Sequence, residues 1–363
     1  MSTNITYLFG AGASYYALPL VKNFKGRFQI FCDHLNDYLK IRINEIEFSD
    51  LVYKQKQLIK NIESHYTIDT YAKKLFLKNP LLHTNPEYRT LTNYLSAYFL
   101  YEQLKINPEL DCNQYLVNQL NNPYNNNEDS AKDIEKIFQD FDYRYDSFFA
   151  SILTHSNDEL IIPNNINLIS WNYDFQIEKA YMNFSECNLT YAIERLNVIG
   201  TPQETFDRPL TSSHLIKLNG SAGFLSNGKF SELFDFRTHK VDNTFFERCK
   251  EILLSTRTLV GNAIRFSWEG DSFASKAIEM AQQKITNSRI VVVIGYSFPY
   301  FNREIDRMLF RGATGKNDFK VYIQGPQEDI NSVIERFKGV APFVKAIPFT
   351  ETDQFLIPNE LTL

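Results

Sequence analysis

Near the start of the chain a short, largely apolar and β-favouring run, Ile5-Thr6-Tyr7-Leu8-Phe9, breaks directly into Gly10-Ala11-Gly12-Ala13-Ser14. A strand with no polar alternation, closed by a glycine turn, reads as one buried on both faces, the mark of a parallel sheet. The same form recurs three times. Ile166 to Trp171 runs into Asn172-Tyr173-Asp174, His214 to Leu218 into Asn219-Gly220-Ser221, and Arg289 to Ile294 into Gly295-Tyr296-Ser297-Phe298. A further strand is expected over Phe319 to Ile323. Helical spacing over Phe273 to Ile285 and around Asn302 to Phe310 alternates with these strands. Strands that alternate with helices imply an α/β chain: a Rossmann-like, mostly parallel sheet with helices on both faces.

Between roughly Lys22 and Asn157 the character changes. Glycine is absent from Gly26 to Gly200, and apolar residues recur at three- and four-residue steps over Phe28 to Leu39, Leu91 to Leu104 and Asp133 to Leu153. That period predicts amphipathic helices. Asn121-Asn122-Pro123-Tyr124-Asn125-Asn126-Asn127 interrupts them as an exposed loop. The expected organisation is a nucleotide-binding domain over residues 1–22 and 158–363, and a mainly helical insertion over 23–157. With 363 residues, 44% of them hydrophobic, the chain is long enough for one large core and a satellite.

Several classes are disfavoured. A net charge of −5 gives no general attraction to nucleic acid or to an anionic membrane. No apolar run approaches the roughly 18 to 20 residues of a membrane span. Met-Ser-Thr-Asn is not the start of a basic leader, so a soluble, cytoplasmic protein is expected. Cys32, Cys112, Cys187 and Cys249 are scattered, without a Cys-x-x-Cys pair. Neither a disulfide framework nor a metal site is expected.

Parallel sheets bind ligands beyond the carboxyl ends of their strands, and the four polar turns sit at such ends. Gly10 to Ser14 suits a phosphate, because glycine lets backbone amides approach oxygen closely. It equally suits a plain tight turn. The pattern is neither a Walker loop nor Gly-x-Gly-x-x-Gly. Asn172 and Asp174 suit a ligand, or the cap of the next helix. Trp171 and Tyr173 read as packing residues, Asp306 as a solvated helix residue or a structural ion pair, and Lys54, Lys56 and Lys60 as an exposed helix face.

As an ordered set, Gly10-Ala11-Gly12-Ala13-Ser14, Trp171-Asn172-Tyr173-Asp174, Leu218-Asn219-Gly220-Ser221 and Gly295-Tyr296-Ser297-Phe298 resemble the sirtuin family. More narrowly they resemble its bacterial anti-phage branch, which hydrolyses NAD. The resemblance brackets the whole chain apart from the helical insertion. It implies that Gly10, Ala11, Gly12 and Ser14 cradle the pyrophosphate of NAD. Asn172 contacts the nicotinamide ribose and places the attacking water, and Asp174 lies beside the nicotinamide. Gly220, Gly295 and Ser297 line the ribose and phosphate side, and Gln324 falls near the adenine. It further implies a homo-oligomer and a partner such as a HerA-like ATPase.

Two departures from the family bear on function. The family's catalytic histidine is replaced by Asn219, which cannot act as a general base near neutral pH but can orient a water; a base contributes roughly 10²- to 10⁴-fold. His214, His155 and His239 offer no clear substitute. The four-cysteine zinc module is also missing. Both departures argue against deacetylation. The expected activity is NAD cleavage to nicotinamide and ADP-ribose. The alternative is an NAD- or ADP-ribose-binding sensor or scaffold with weak or no catalysis.

Overall fold

The computed structural model describes residues 3–65, 67–79, 85–106, 140–156, 159–200, 215–226, 229–230, 236–254, 260–270, 272–313 and 318–361. Asn121 to Asn127, Cys112, His214 and the first part of the helix expected from Asp133 lie outside the described residues. Contacts divide the chain into two units. The first comprises Met1–Ser14, Tyr143–Ala222 and Ala263–Leu363, the second Tyr15–Asp142 and Gly223–Asn262.

The first unit is built on six strands: β1 (Ile5–Phe9), β2 (Ile166–Ser170), β3 (Leu215–Lys217), β4 (Ile290–Ile294), β5 (Lys320–Gln324) and β6 (Ala346–Phe349). They lie side by side in the order β6-β5-β4-β1-β2-β3, and every pairing is parallel. Counted from the other edge this is 3-2-1-4-5-6, the doubly wound order, in which the direction of winding reverses between β1 and β4. β1, β2 and β4 are buried at all five positions, which is why their sequences show runs instead of alternation.

Register fixes where the turns emerge. Phe9 pairs with Ser170 and with Ile294, Ser170 with Lys217, and Ile294 with Gln324. Five strands therefore end level. The residues that follow, Gly10, Trp171, Leu218, Gly295 and Gly325, leave the sheet in one row. The four polar turns expected from sequence thus stand on four adjacent strands.

Each face of the sheet has its own helices. Leu8, Ile169, Ile216, Val291, Val293, Val321 and Ile323 form one core with Ala277, Met280, Ala281, Leu309, Phe310 and Phe337. Those partners come from the helices Ser272–Asn287, Arg303–Phe310 and Ile330–Lys338. On the opposite face Tyr7 and Phe9 meet the ring of Phe148 edge-on at 4.8 and 5.8 Å, on the helix Arg144–Ile152. Full burial of such a side chain is worth about 1.5–3 kcal/mol, so the two layers stabilise the sheet that carries the turns.

The second unit is mainly helical, with helices at Val21–Leu39, Glu45–Ser64, Ile68–Lys78, Pro86–Gln103 and Asn243–Leu254. Pro86–Gln103 starts on Asn85, whose side chain accepts from the Glu87 and Tyr88 amides at 3.0 and 3.3 Å, with proline at the first helical position. It is apolar or buried around much of its circumference, and Tyr98 takes the rings of Phe24 and Phe28 edge-on at 4.9 and 5.3 Å. Beside them Arg27 and Glu102 form a buried ion pair of 2.7 Å. The contacts group Gly223–Asn262 with these helices and Tyr143–Ile152 with the sheet.

Candidate functional site

The first and fourth turns interlock. Gly10 N–H donates to Ile294 O and Gly12 N–H to Gly295 O, both at 2.9 Å. A Cβ on Gly10 would stand 2.6 Å from Tyr296 Cα, and one on Gly12 would stand 2.9 Å from Gly295 Cα. Gly295 has φ +62°, and a Cβ there would fall 2.6 Å from Gly12 Cα and closer still to Ala13 N and Gly12 C. The glycines are thus required first by backbone packed on backbone, at the point where the sheet's winding reverses. Ala13 N–H closes the 3₁₀ turn Ala11–Ser14 onto Gly10 O at 2.9 Å. Ala11 and Ser297 are exposed, and Gly12 and Gly295 half-buried. They form an accessible rim above a buried floor.

Asn172, on the floor, reaches the first turn from β2. Its Nδ2 donates to Gly10 O at 3.0 Å and to Ser14 Oγ at 3.2 Å, while its own N–H donates to Ser170 Oγ at 3.0 Å. Among the described residues no group donates to Asn172 Oδ1, which leaves a carbonyl acceptor held by a fixed amide. Ser14 Oγ also lies 3.3 Å from Tyr145 Oη. Asp174 turns toward its own helix: Oδ1 accepts the Gln176 N–H at 3.1 Å, at the start of Gln176–Ser185. This is an Asx turn one residue ahead of the helix, whose N-cap position is Phe175, and not the capping bond expected from sequence.

Asn219 is engaged at both ends of its amide. Nδ2 donates to Trp171 O at 3.0 Å, and Oδ1 accepts the Ser267 N–H at 3.1 Å. The side chain therefore stitches β2's turn to the segment Ser267–Glu269. Backbone bonds support the stitch: Leu218 N–H to Ser170 O at 2.9 Å and Ala222 N–H to Tyr173 O at 2.7 Å. Lys217 and Glu178, 1% and 0% exposed at their side chains, form an ion pair of 2.8 Å. Lys217 Nζ also donates to Asp174 O and sits 4.6 Å from the Phe175 ring centre. Burial pushes the Glu178 carboxyl up, while Lys217 pulls it back and the Asp174 charge adds to the rise. Gly220 is buried, with Arg265 N 2.9 Å from where its Cβ would be.

Trp171 and Tyr296 stack at 5.3 Å and 10° across the row, and Tyr173 packs edge-on against Phe266. Both behave as the packing residues that sequence implied. Asp306 does not behave as expected. It is fully buried, and its carboxylate accepts Tyr296 Oη at 3.0 and 3.1 Å. Asn302 Nδ2 donates to that hydroxyl at 3.2 Å. Desolvation drives the Asp306 pKa well above the carboxylate range, against the pull of Tyr296 and Arg303. The helix sequence offered no sign of this, because the partner lies ten residues back on a turn. Phe298, 2% exposed, holds φ +48°, a region costly for a bulky side chain. Its ring is clamped by Tyr296 and Phe337 at 4.9 and 5.1 Å.

Gln324, at the end of β5, is occupied by the carboxyl-terminal segment. Nε2 donates to Glu351 O and Gln354 O, both at 2.6 Å, and Oε1 accepts the Leu356 N–H at 3.0 Å. Sequence alone gives no sign of Arg144, which bonds the Gly12 and Ala13 carbonyls of the glycine turn. The sequence reading also passes over Lys217, although a lysine inside an apolar strand is a usable signal of a buried partner. His155 is exposed in the hairpin that precedes β2, and His239 belongs to the second unit. Among the described residues no three His, Cys, Asp or Glu side chains gather as metal ligands, and no helix is long and apolar enough to cross a membrane.

No protein-family model matches the chain, and no curated protein matches it. Among solved structures it is similar to a Sir2 enzyme in complex with an inhibitor, 2′-O-acetyl-ADP-ribose and a deacetylated peptide. That alignment has 12% identity and a TM-score of 0.31, and covers 96% of this chain and 89% of the other. A second structure, described as a basis for the mechanism and regulation of Sir2 enzymes, aligns at 11% identity with a TM-score of 0.32. It covers 93% of this chain and 92% of that one.

Proposed function

We propose that the chain binds NAD across the row of turns and hydrolyses its nicotinamide–ribose bond. The observation that carries this reading is the level ending of β4, β1, β2 and β3. It sets Gly295–Ser297, Gly10–Ser14, Asn172–Asp174 and Asn219–Ser221 side by side at the winding reversal, the place where doubly wound sheets take dinucleotides. The exposed rim of Ala11 and Ser297 fits the pyrophosphate, and the buried amide of Asn172 fits the reacting end.

In the reaction the bond between ribose C1′ and the pyridinium nitrogen breaks, both electrons leave with neutral nicotinamide, and water adds to C1′ with loss of a proton. Positive charge builds on the ribose as the bond breaks. An acceptor fixed before the reaction stabilises that charge most effectively where water is excluded. Asn172 Oδ1 has that character, because Gly10 O and Ser14 Oγ hold the amide in one orientation. Asp174 and Asn219 act through position: one closes the turn ahead of the following helix and the other stitches the β2 turn to Ser267. The leaving group departs as neutral nicotinamide, so breaking the bond needs no general acid, and the proton lost by the attacking water can pass to solvent once C1′ is attacked. Pyrophosphate binding supplies the remote energy that orients the reacting end.

The resemblance noted in the sequence adds the setting: a cytoplasmic effector of bacterial anti-phage defence that depletes NAD and is restrained by assembly or by a partner such as a HerA-like ATPase. A second reading rests on the full engagement of Asn219, which leaves the family's base position without a titratable group. In that reading the chain binds NAD or ADP-ribose as a sensor or scaffold. Incubation with NAD separates the two. Equal release of nicotinamide and ADP-ribose supports the hydrolase; NAD binding without release, with the partner present, supports the sensor.

A further inference from the structure

Arg144 opens the helix Arg144–Ile152 and is 8% exposed. Its Nη2 donates to Gly12 O at 3.0 Å and Ala13 O at 3.1 Å, and Nη1 donates to Thr352 O at 3.1 Å. Its guanidinium lies 5.0 Å over the ring of Phe355, which packs edge-on against Tyr145 at 4.9 Å. Gln324 holds the same carboxyl-terminal segment through Glu351 and Gln354. The cation is therefore fixed from three sides beneath the glycine turn.

In a trans peptide the C=O and N–H point in opposite directions. With the Gly12 and Ala13 carbonyls turned onto the guanidinium, the amides of Ala13 and Ser14 face away from it. Of that pair the Ala13 N–H already bonds to Gly10 O, and the neighbouring Gly12 N–H bonds to Gly295 O, so the turn's amides alone form a poor anion site. A buried unit charge acts over several ångströms through a medium less screening than water. We infer that Arg144 is a positioning residue that makes the Gly10–Ser14 turn an anion site, its charge attracting a pyrophosphate that it does not itself touch. The proposal rests on the NAD reading above and adds the source of the site's charge.

The test is ADP-ribose binding by the full chain, measured calorimetrically at low and moderate salt in wild type, Arg144→Gln and Arg144→Lys, with thermal midpoints recorded. Coulombic attraction at such a range corresponds to about a tenfold change in affinity. The expected result is about a tenfold loss and a flatter salt dependence in Arg144→Gln, with Arg144→Lys within about threefold of wild type. Equal losses in the two variants, or wild-type affinity in Arg144→Gln, would overturn the inference. If Arg144→Gln does not fold, Arg144→Lys decides: retained affinity supports the charge, and a tenfold loss in a folded protein overturns it. A wild-type chain that binds no ADP-ribose overturns the NAD reading itself, whereas a flat series in a wild type that binds removes only the role of Arg144.

Discussion

Replacing Gly295 by alanine tests the junction between the first and fourth turns. Two costs are expected. At φ +62° a Cβ incurs the left-handed penalty of about 1–2 kcal/mol. It also lands within 2.6 Å of Gly12 Cα and nearer to Ala13 N and Gly12 C. These are backbone atoms that cannot rotate away, and overpacking of that kind costs about 1–3 kcal/mol more. Gly270 supplies the control. Its φ is +71°, yet a Cβ there meets nothing within 4 Å, so Gly270→Ala bears only the conformational cost. Urea unfolding of both variants should place Gly295→Ala about 1–3 kcal/mol below Gly270→Ala. Nicotinamide release should fall in the former alone, because relief of the clash moves the turn that Asn172 holds. Equal destabilisation by the two substitutions would refute the argument that close backbone approach, and not φ, dictates glycine at 295.

Two further tests probe the buried ionisable groups. Asp306 titrates above the carboxylate range in the folded chain, so the native state holds its proton where the unfolded state has lost it. Its contribution is fully present below about pH 4 and is lost as pH rises through the folded value. Asp306→Asn keeps an acceptor for Tyr296 and should gain stability relative to wild type as pH rises toward neutrality, read as thermal midpoints from pH 4 to 8; a constant difference would contradict the assignment. Lys217→Met strands Glu178 in the core, at a cost of about 3–5 kcal/mol, whereas Lys217→Met with Glu178→Leu should recover most of it. Urea midpoints decide this, and a double variant as unstable as the single one would show that the pair matters through more than its charge.

The fold was legible because three strands are buried on both faces and show mostly apolar, β-favouring runs instead of strict alternation. Ile5–Phe9 begins and ends where sequence placed it, and the strands expected from Arg289 and Phe319 run from Ile290 and Lys320. The site was legible as a row of turns, since glycine and asparagine mark the carboxyl end of each strand. What each side chain does there was not, because partners come from distant positions. Asn219 bonds Ser267, Gln324 bonds the 351–356 segment, and Asp306 is buried by a tyrosine on another turn. Periodicity reports the face a residue occupies and says nothing of the group it meets there. Arg144 illustrates the limit: it stands in a stretch with helical spacing, and only the packing of its helix on Tyr7 and Phe9 brings it to Gly12 and Ala13.

The most direct test of the account is nicotinamide release from NAD by the purified chain beside its Asn172→Ala variant, with ADP-ribose affinity measured on both. The predicted result is release by the wild type, a loss of at least about 100-fold in the variant, as for removal of a preorganised charge-stabilising group, and ADP-ribose affinity changed far less than turnover. Undiminished release from Asn172→Ala would contradict the role assigned to its carbonyl. An absence of release from the wild type, at high protein concentration and with its partner present, would contradict the hydrolase itself.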